Sequence, residues 1–179
     1  MRIAVSGTHR AGKSTLVEAL SVALPNYDAL DEPYHQLEEE GYEFTEVPSI
    51  EDFEQQLERS IECIERSESN TIFDRSPADF LGYLLTHSDA DAFELSDWLA
   101  RIQAAVEKLD LIVFVPIEAP DRIVLPRSES RRERLQVNAA LIDIVLDDRY
   151  GFDVEVMSVT GTPDTRLQQV LARVRSSGR

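Results

Sequence analysis

Residues 7 to 14 of this 179-residue chain read Gly7-Thr8-His9-Arg10-Ala11-Gly12-Lys13-Ser14, with Thr15 next in line. The spacing is G-x-x-x-x-G-K-[ST], in which each fixed residue answers a demand made by a chain of phosphates. Glycines at 7 and 12 let the backbone turn and approach closely where a Cβ would intrude. Peptide N–H groups of the loop can then point at phosphate oxygens, assisted by the orphan donors and positive dipole end of a helix starting near Lys13. The Lys13 ammonium suits β and γ phosphates and the Ser14 hydroxyl suits Mg²⁺, while Thr15 supports the same helix start.

Three further groups of residues could act on a phosphate held there. Asp31 and Glu32 precede Pro33; either carboxylate is a candidate general base for a substrate hydroxyl, the plainer alternative being an acidic turn before proline. Asp74 and Arg75 pair a possible metal ligand with a cation able to neutralise charge on a transferring phosphoryl group, against the alternative of a surface ion pair. The run Arg127-Ser128-Glu129-Ser130-Arg131-Arg132-Glu133-Arg134 is the chain's concentrated positive charge. Arg127 and Arg131 lie four apart and share a face if helical, unless Glu129 and Glu133 simply pair with them on a solvated helix. His35 has no neighbouring His or Cys, and Cys63 is the only cysteine, so neither indicates a metal cluster or an internal disulfide.

The elements that must position these residues follow from periodicity. Ile3, Ala4 and Val5 form a buried strand, and Leu16, Val17, Leu20 and Ala23 recur at helical spacing until Pro25-Asn26. Tyr27 to Leu30 reads as a second strand. Residues 34 to 48 show no clean period and read as a mobile segment over the site or a solvated acidic loop. Ser49 with Asp52 caps a helix carrying Ile50, Phe53, Leu57, Ile61 and Ile64. Thr71 to Phe73 is a third strand, and Pro77 opens a helix with Phe80, Leu81, Leu84 and Leu85 on one face. Residues 91 to 109 form a further helix, and Leu111 to Val115 a strand buried on both sides. Leu135, Ala139, Ile142 and Val145 predict the buried face of the next helix. Val154, Val156 and Val159 bracket a fifth strand, and Gly161-Thr162-Pro163 leads into a last helix. Alternating strands and helices argue an α/β fold with a parallel sheet covered on both faces. Ligands gather at the carboxyl ends of such strands, where Asp31, Glu32, Asp74 and Arg75 fall.

Composition sets the remaining bounds. With 42% apolar residues, the whole of 1–179 suits one domain. The formal charge of −16, from 34 acidic and 18 basic residues, repels nucleic-acid backbones and anionic membranes, so neither is expected as a partner. Met1 to Ser6 is already the first strand and no apolar run is long enough for a bilayer, so a cytoplasmic location is expected. A homodimer is left open.

GTHRAGKST at the N-terminus, Glu32-Pro33 after the second strand and FDRSPADFLGYL after the third resemble the small P-loop kinases that phosphorylate nucleosides or similar molecules. Among these the chain is similar to the deoxynucleoside kinases and the nicotinamide-riboside-kinase-like ATPase group. The resemblance implies a P-loop NTPase three-layer sandwich with a five-stranded parallel sheet in the order 2-3-1-4-5. It implies Glu32 as base, Asp74 as metal carboxylate beside Ser14, and Arg75 as a phosphate ligand, with Gln55 or Gln56 facing the acceptor. Residues 33–48 become a substrate segment and 121–134 a lid whose Arg127, Arg131 and Arg132 reach phosphates, while Gly161, Thr162 and Pro163 border the adenine. The activity so implied is Mg²⁺-dependent transfer of the ATP γ-phosphate to a hydroxyl, or a phosphate, of a small and preferably nucleoside-like molecule. A nucleotide-hydrolysing switch and a nucleotide-binding sensor are the alternatives.

Overall fold

The computed structural model describes residues 1–121, 125–126 and 130–177. Its elements are β1 (Arg2–Ser6), α1 (Lys13–Ala23), β2 (Asp28–Leu30), α2 (Pro33–Glu39), α3 (Ile50–Arg66), β3 (Thr71–Asp74), α4 (Pro77–Thr86), α5 (Leu95–Val106), β4 (Leu111–Phe114), α6 (Arg131–Leu141), β5 (Val156–Ser158) and α7 (Pro163–Ser177). A 3-10 turn at Ala90–Ala92 precedes α5, and α6 runs on into a π-helical turn, Ile142–Leu146.

The sheet has the order β2-β3-β1-β4-β5, and each neighbouring pair is parallel. Side chains alternate between its faces, as the two-residue period requires. Ala4, Phe73, Ile112 and Phe114 join the core under α3 to α6. Ile3, Val5, Leu111 and Val113 join a second core with α1 and α7. Helices on both sides of one sheet make the three-layer α/β sandwich, with the ends of β1, β2, β3 and β4 on one edge.

Two helix starts are fixed by reciprocal capping. Ser49 and Asp52 form a capping box on α3, and Ser76 and Asp79 form another on α4, where Pro77 occupies the first turn. The α4 helix then meets α6 closely: a Cβ added to Gly82 would lie 2.9 Å from Leu141 Cδ2.

The structure departs from the sequence expectations in three places. Residues 33–39 are helical rather than irregular, because Pro33 begins α2 and buries with Leu37, too short a repeat to register as a period. The 3-10 turn delays α5 to Leu95. On α6, Leu135 is 46% exposed and Ala139 is exposed, while Arg134, Val137, Asn138 and Leu141 face inward. Polar residues bind backbone on that inner face, as when Asn138 Oδ1 accepts from the Ile117 N–H at 3.0 Å, so hydropathy alone misplaces it. Among the described residues no helix is long and apolar enough to cross a membrane.

Candidate active site

The loop between β1 and α1 is shaped from both ends. Gly7 has φ 151°, and a Cβ there would lie 2.5 Å from the Val115 carbonyl oxygen, so only glycine lets β1 turn past the end of β4. Gly12 has φ 89° and caps α1 without a side-chain hydrogen bond, which leaves the helix donors directed at the loop cavity. Arg10 is also left-handed, at φ 55°.

Side chains from three helices hold this loop. Asp79 on α4 accepts the Gly7 N–H at 2.8 Å through Oδ1 and the Ser76 N–H at 2.9 Å through Oδ2. Arg134 on α6 is 1% exposed; its Nε donates to the His9 carbonyl at 3.1 Å and Nη2 to that of Arg10 at 3.4 Å, and Nη1 bonds Asp121. Arg166 on α7 donates to the Ala11 carbonyl at 2.8 Å and to Glu118 Oε1 at 2.8 Å. Loop carbonyls held in this way favour the presentation of amides at the start of α1 to an anion.

Lys13 folds back so that Nζ donates to the Thr8 carbonyl at 3.0 Å, and it is 4% exposed. Burial, aided by repulsion from Arg75, lowers its pKa to about 8 despite Asp79, Glu32 and Asp74 nearby. Asp74, at the end of β3, is 5% exposed, and its Oδ1 has no hydrogen-bond partner among the described residues. Burial pushes its carboxyl up, offset only in part by Lys13 and a hydrogen bond with Ser14. A buried carboxylate oxygen without a partner, beside the exposed Ser14 hydroxyl at the start of α1, fits one edge of a divalent cation whose other ligands are phosphates and water. Among the described residues no group of three His, Cys, Asp or Glu could hold a metal unaided.

Arg75 joins the loop to β2. It is a non-glycine residue at φ 86°, a costly conformation that tends to occur at working sites. Its Nε donates to Glu32 Oε1, Nη1 donates to the Gly7 carbonyl at 3.3 Å and lies 3.7 Å from Asp79, and the guanidinium sits 5.4 Å from the Tyr83 ring centre. Burial disfavours its charge, yet Tyr83, Glu32 and Asp79 hold Arg75 above the ordinary guanidinium range. Burial would likewise raise Glu32, but Arg75 and Lys13 outweigh it and keep that carboxyl below its usual range. Asp31 is exposed, and its carbonyl accepts from Gln36.

Two cavities adjoin the loop. One of about 270 Å³ is lined by Ala11, Gly12, Thr15, Gly161, Pro163 and Arg166 among others. The other, of about 500 Å³, is lined by His9, Tyr34, Phe53, Gln56, Arg75 and Tyr83 among others. Gly161 and Pro163, expected to border the adenine, line the smaller cavity. The Thr162 side chain caps α7, its Oγ1 accepting the Thr165 N–H at 3.2 Å. Gln56 faces the larger cleft and Gln55 is exposed.

The basic cluster divides. Arg127 lies outside the described residues. Arg131 and Arg132 are exposed on the first turn of α6 and line neither cavity, whereas Arg134 reaches the loop. Asp79, Tyr83, Arg134 and Arg166 are the residues that motif reading passed over. Asp79 carried a readable signal, the capping box Ser76-Pro77-Ala78-Asp79; Arg166 carried none.

A parallel sheet in this order, with a glycine-bounded loop leading into α1 and a buried lysine, defines the P-loop NTPase α/β fold in the form taken by the small P-loop kinases. The chain matches a family model described as AAA domain over residues 2–166 and belongs to that family. No curated protein sequence matches it. Among solved structures it is similar to deoxyadenosine kinase from M. mycoides, with TM-score 0.69 and 16% identity over 98% of this chain and 99% of that one. It is also similar to thymidylate kinase from Candida albicans, with TM-score 0.65 and 17% identity over 99% and 92% of the two chains. Shikimate kinase from Aquifex aeolicus gives TM-score 0.62 and 18% identity over 99% and 98%. At such identities the likeness is one of fold.

Proposed function

We propose that the protein is a Mg²⁺-dependent phosphotransferase that moves the γ-phosphate of ATP to a hydroxyl, or a phosphate, of a small and preferably nucleoside-like acceptor. The observation that supports this reading is that two cavities adjoin the phosphate loop, one lined by Ala11, Gly12 and Thr15 and the other by His9 and Arg75. A switch or a sensor needs a nucleotide site alone, and the second cleft of about 500 Å³ has no task in either. The kinases that share the fold support the same reading, since their named substrates are a nucleoside, a nucleotide and shikimate.

In this reading the smaller cavity takes the adenine between Gly161, Pro163 and the loop, and the loop amides take the phosphates. Lys13 and Arg75 offset charge on the transferring group; the lid arginines Arg127, Arg131 and Arg132 add to them on closure. Ser14 and Asp74 would hold Mg²⁺, which would supply neutralisation of phosphate charge. Glu32 is ionised at neutral pH and takes the acceptor proton. Its low basicity suffices for a loose transition state in which the hydroxyl proton leaves late. Gln56 orients the acceptor, and the segment 33–48 covers it. A single domain spanning 1–179, working with small molecules and without nucleic acid or membrane, in the cytoplasm, completes the proposal.

The test is ADP release from ATP and Mg²⁺ with nucleosides, nucleotides, ribosides and amino sugars added one at a time. Stimulation by one compound, with its phosphorylated product seen by mass, is the expected outcome. Slow release that no compound stimulates favours the hydrolysing switch.

A further inference from the structure

The loop residue on the acceptor side is His9, which lines the larger cleft, whereas Ala11 and Gly12 line the smaller one. One side chain spans from that residue into the cleft. Tyr83 Oη accepts the His9 backbone N–H at 2.8 Å and stands 3.2 Å from His9 Nδ1. Its ring stacks on Phe53, with centroids 5.0 Å apart and planes at 11°, and both rings line the cleft. The other face of the environment is the Arg75 guanidinium, itself bonded to Glu32. The phenol is therefore held by its ring, and its oxygen fills a polar position between the acceptor cleft and the loop.

That position matters because of what would replace the oxygen. A backbone N–H and an imidazole nitrogen converging on one point make a good water site once the phenol oxygen is gone. On the phosphotransfer reading, water there stands between the loop and the acceptor cleft, where it competes with the acceptor hydroxyl as nucleophile. Exclusion of such water is what distinguishes transfer from hydrolysis.

We propose that Tyr83 is a specificity-determining residue that anchors the acceptor side of the phosphate loop through His9 and keeps water from the position of the attacking hydroxyl. The proposal rests on the phosphotransfer reading of the site. The side reaction it suppresses is the attack of water on the γ-phosphorus of ATP, breaking the bond to the bridging oxygen and yielding ADP, inorganic phosphate and a proton.

Tyr83→Phe keeps the ring, its stack and its contact with Arg75 and removes only the oxygen. With MgATP and no acceptor, the variant is expected to release inorganic phosphate about tenfold faster than the wild type, with KM for ATP within about twofold. In the nucleotide-free protein, amide hydrogen exchange at His9 is expected to speed up about tenfold while β1 stays protected. Hydrolysis that is unchanged or slower in the variant, including no hydrolysis in either protein, overturns the proposal. So does His9 exchange equal to wild type. Failure of the phosphotransfer reading looks different: the wild-type protein then phosphorylates no acceptor, whereas failure of the Tyr83 proposal leaves that transfer intact and only the acceptor-free hydrolysis unchanged.

Discussion

Arg75, at the end of β3, reaches across the mouth of the phosphate loop and hydrogen-bonds Glu32, at the end of β2, through Nε. The candidate base is thereby fixed by the residue that also touches the Gly7 carbonyl, so acceptor and donor sites share one support. Glu32 is held ionised by the same contact.

Glu32→Gln keeps the size of the side chain and removes its charge. Transfer to an acceptor should fall about 100-fold with ATP affinity within about threefold, read as kcat beside a binding titration. An unaltered kcat would remove Glu32 as the base.

Lys13 connects pH to both stability and binding. Its folded pKa of about 8 lies below the ordinary 10.5, so the unfolded chain binds more protons between those values and stability rises with pH across that window. Below it the buried charge costs on the order of 3 kcal/mol. Lys13→Met should therefore raise the Tm of the nucleotide-free protein at pH 7 while abolishing turnover. In the wild type, ATP should bind the protonated lysine, so affinity should weaken above pH about 8. Thermal melts and nucleotide titrations across pH check both statements.

Asp74→Asn separates metal binding from folding. The Asp74 pKa is raised, so its contribution to stability is greatest at low pH and is lost as pH rises through the folded value. The neutral variant should melt higher than wild type at pH 7 without metal. Its Mg²⁺ requirement should rise about tenfold and its kcat should fall, measured by titrating Mg²⁺ at fixed ATP.

Arg134→Ala strips the loop of a guanidinium that serves His9, Arg10 and Asp121 together. Breaking a buried pair of this kind costs about 3–5 kcal/mol, and denaturant unfolding should show it together with a higher KM for ATP. Arg134→Lys should not restore either, since a single ammonium cannot match three acceptors in a fork.

How much of this could be read in the chain depended on sequence distance. Gly7, Gly12, Lys13 and Ser14 are neighbours whose spacing encodes their geometry, and the strand order followed from the resemblance that those motifs carry. Glu32 and Arg75 were legible one by one, but their mutual bond depends on β2 and β3 lying side by side. Arg166 bonds Ala11 from the far end of the chain and has no local pattern at all. Leu135 misled because α6 turns Arg134 and Asn138 inward for their hydrogen bonds, leaving a leucine in solvent.

The close seat of Leu141 on Gly82 gives α6 a fulcrum. At the other end of that helix Arg134 grips the loop carbonyls of His9 and Arg10, and α4, which carries the fulcrum, grips Gly7 through Asp79. Loop, α4 and α6 thus form a closed linkage with three joints. A tilt of α6 about Leu141 is geared to the phosphate loop, and a bulkier residue at position 82 would act as a shim, resetting the loop from the opposite end of the helix.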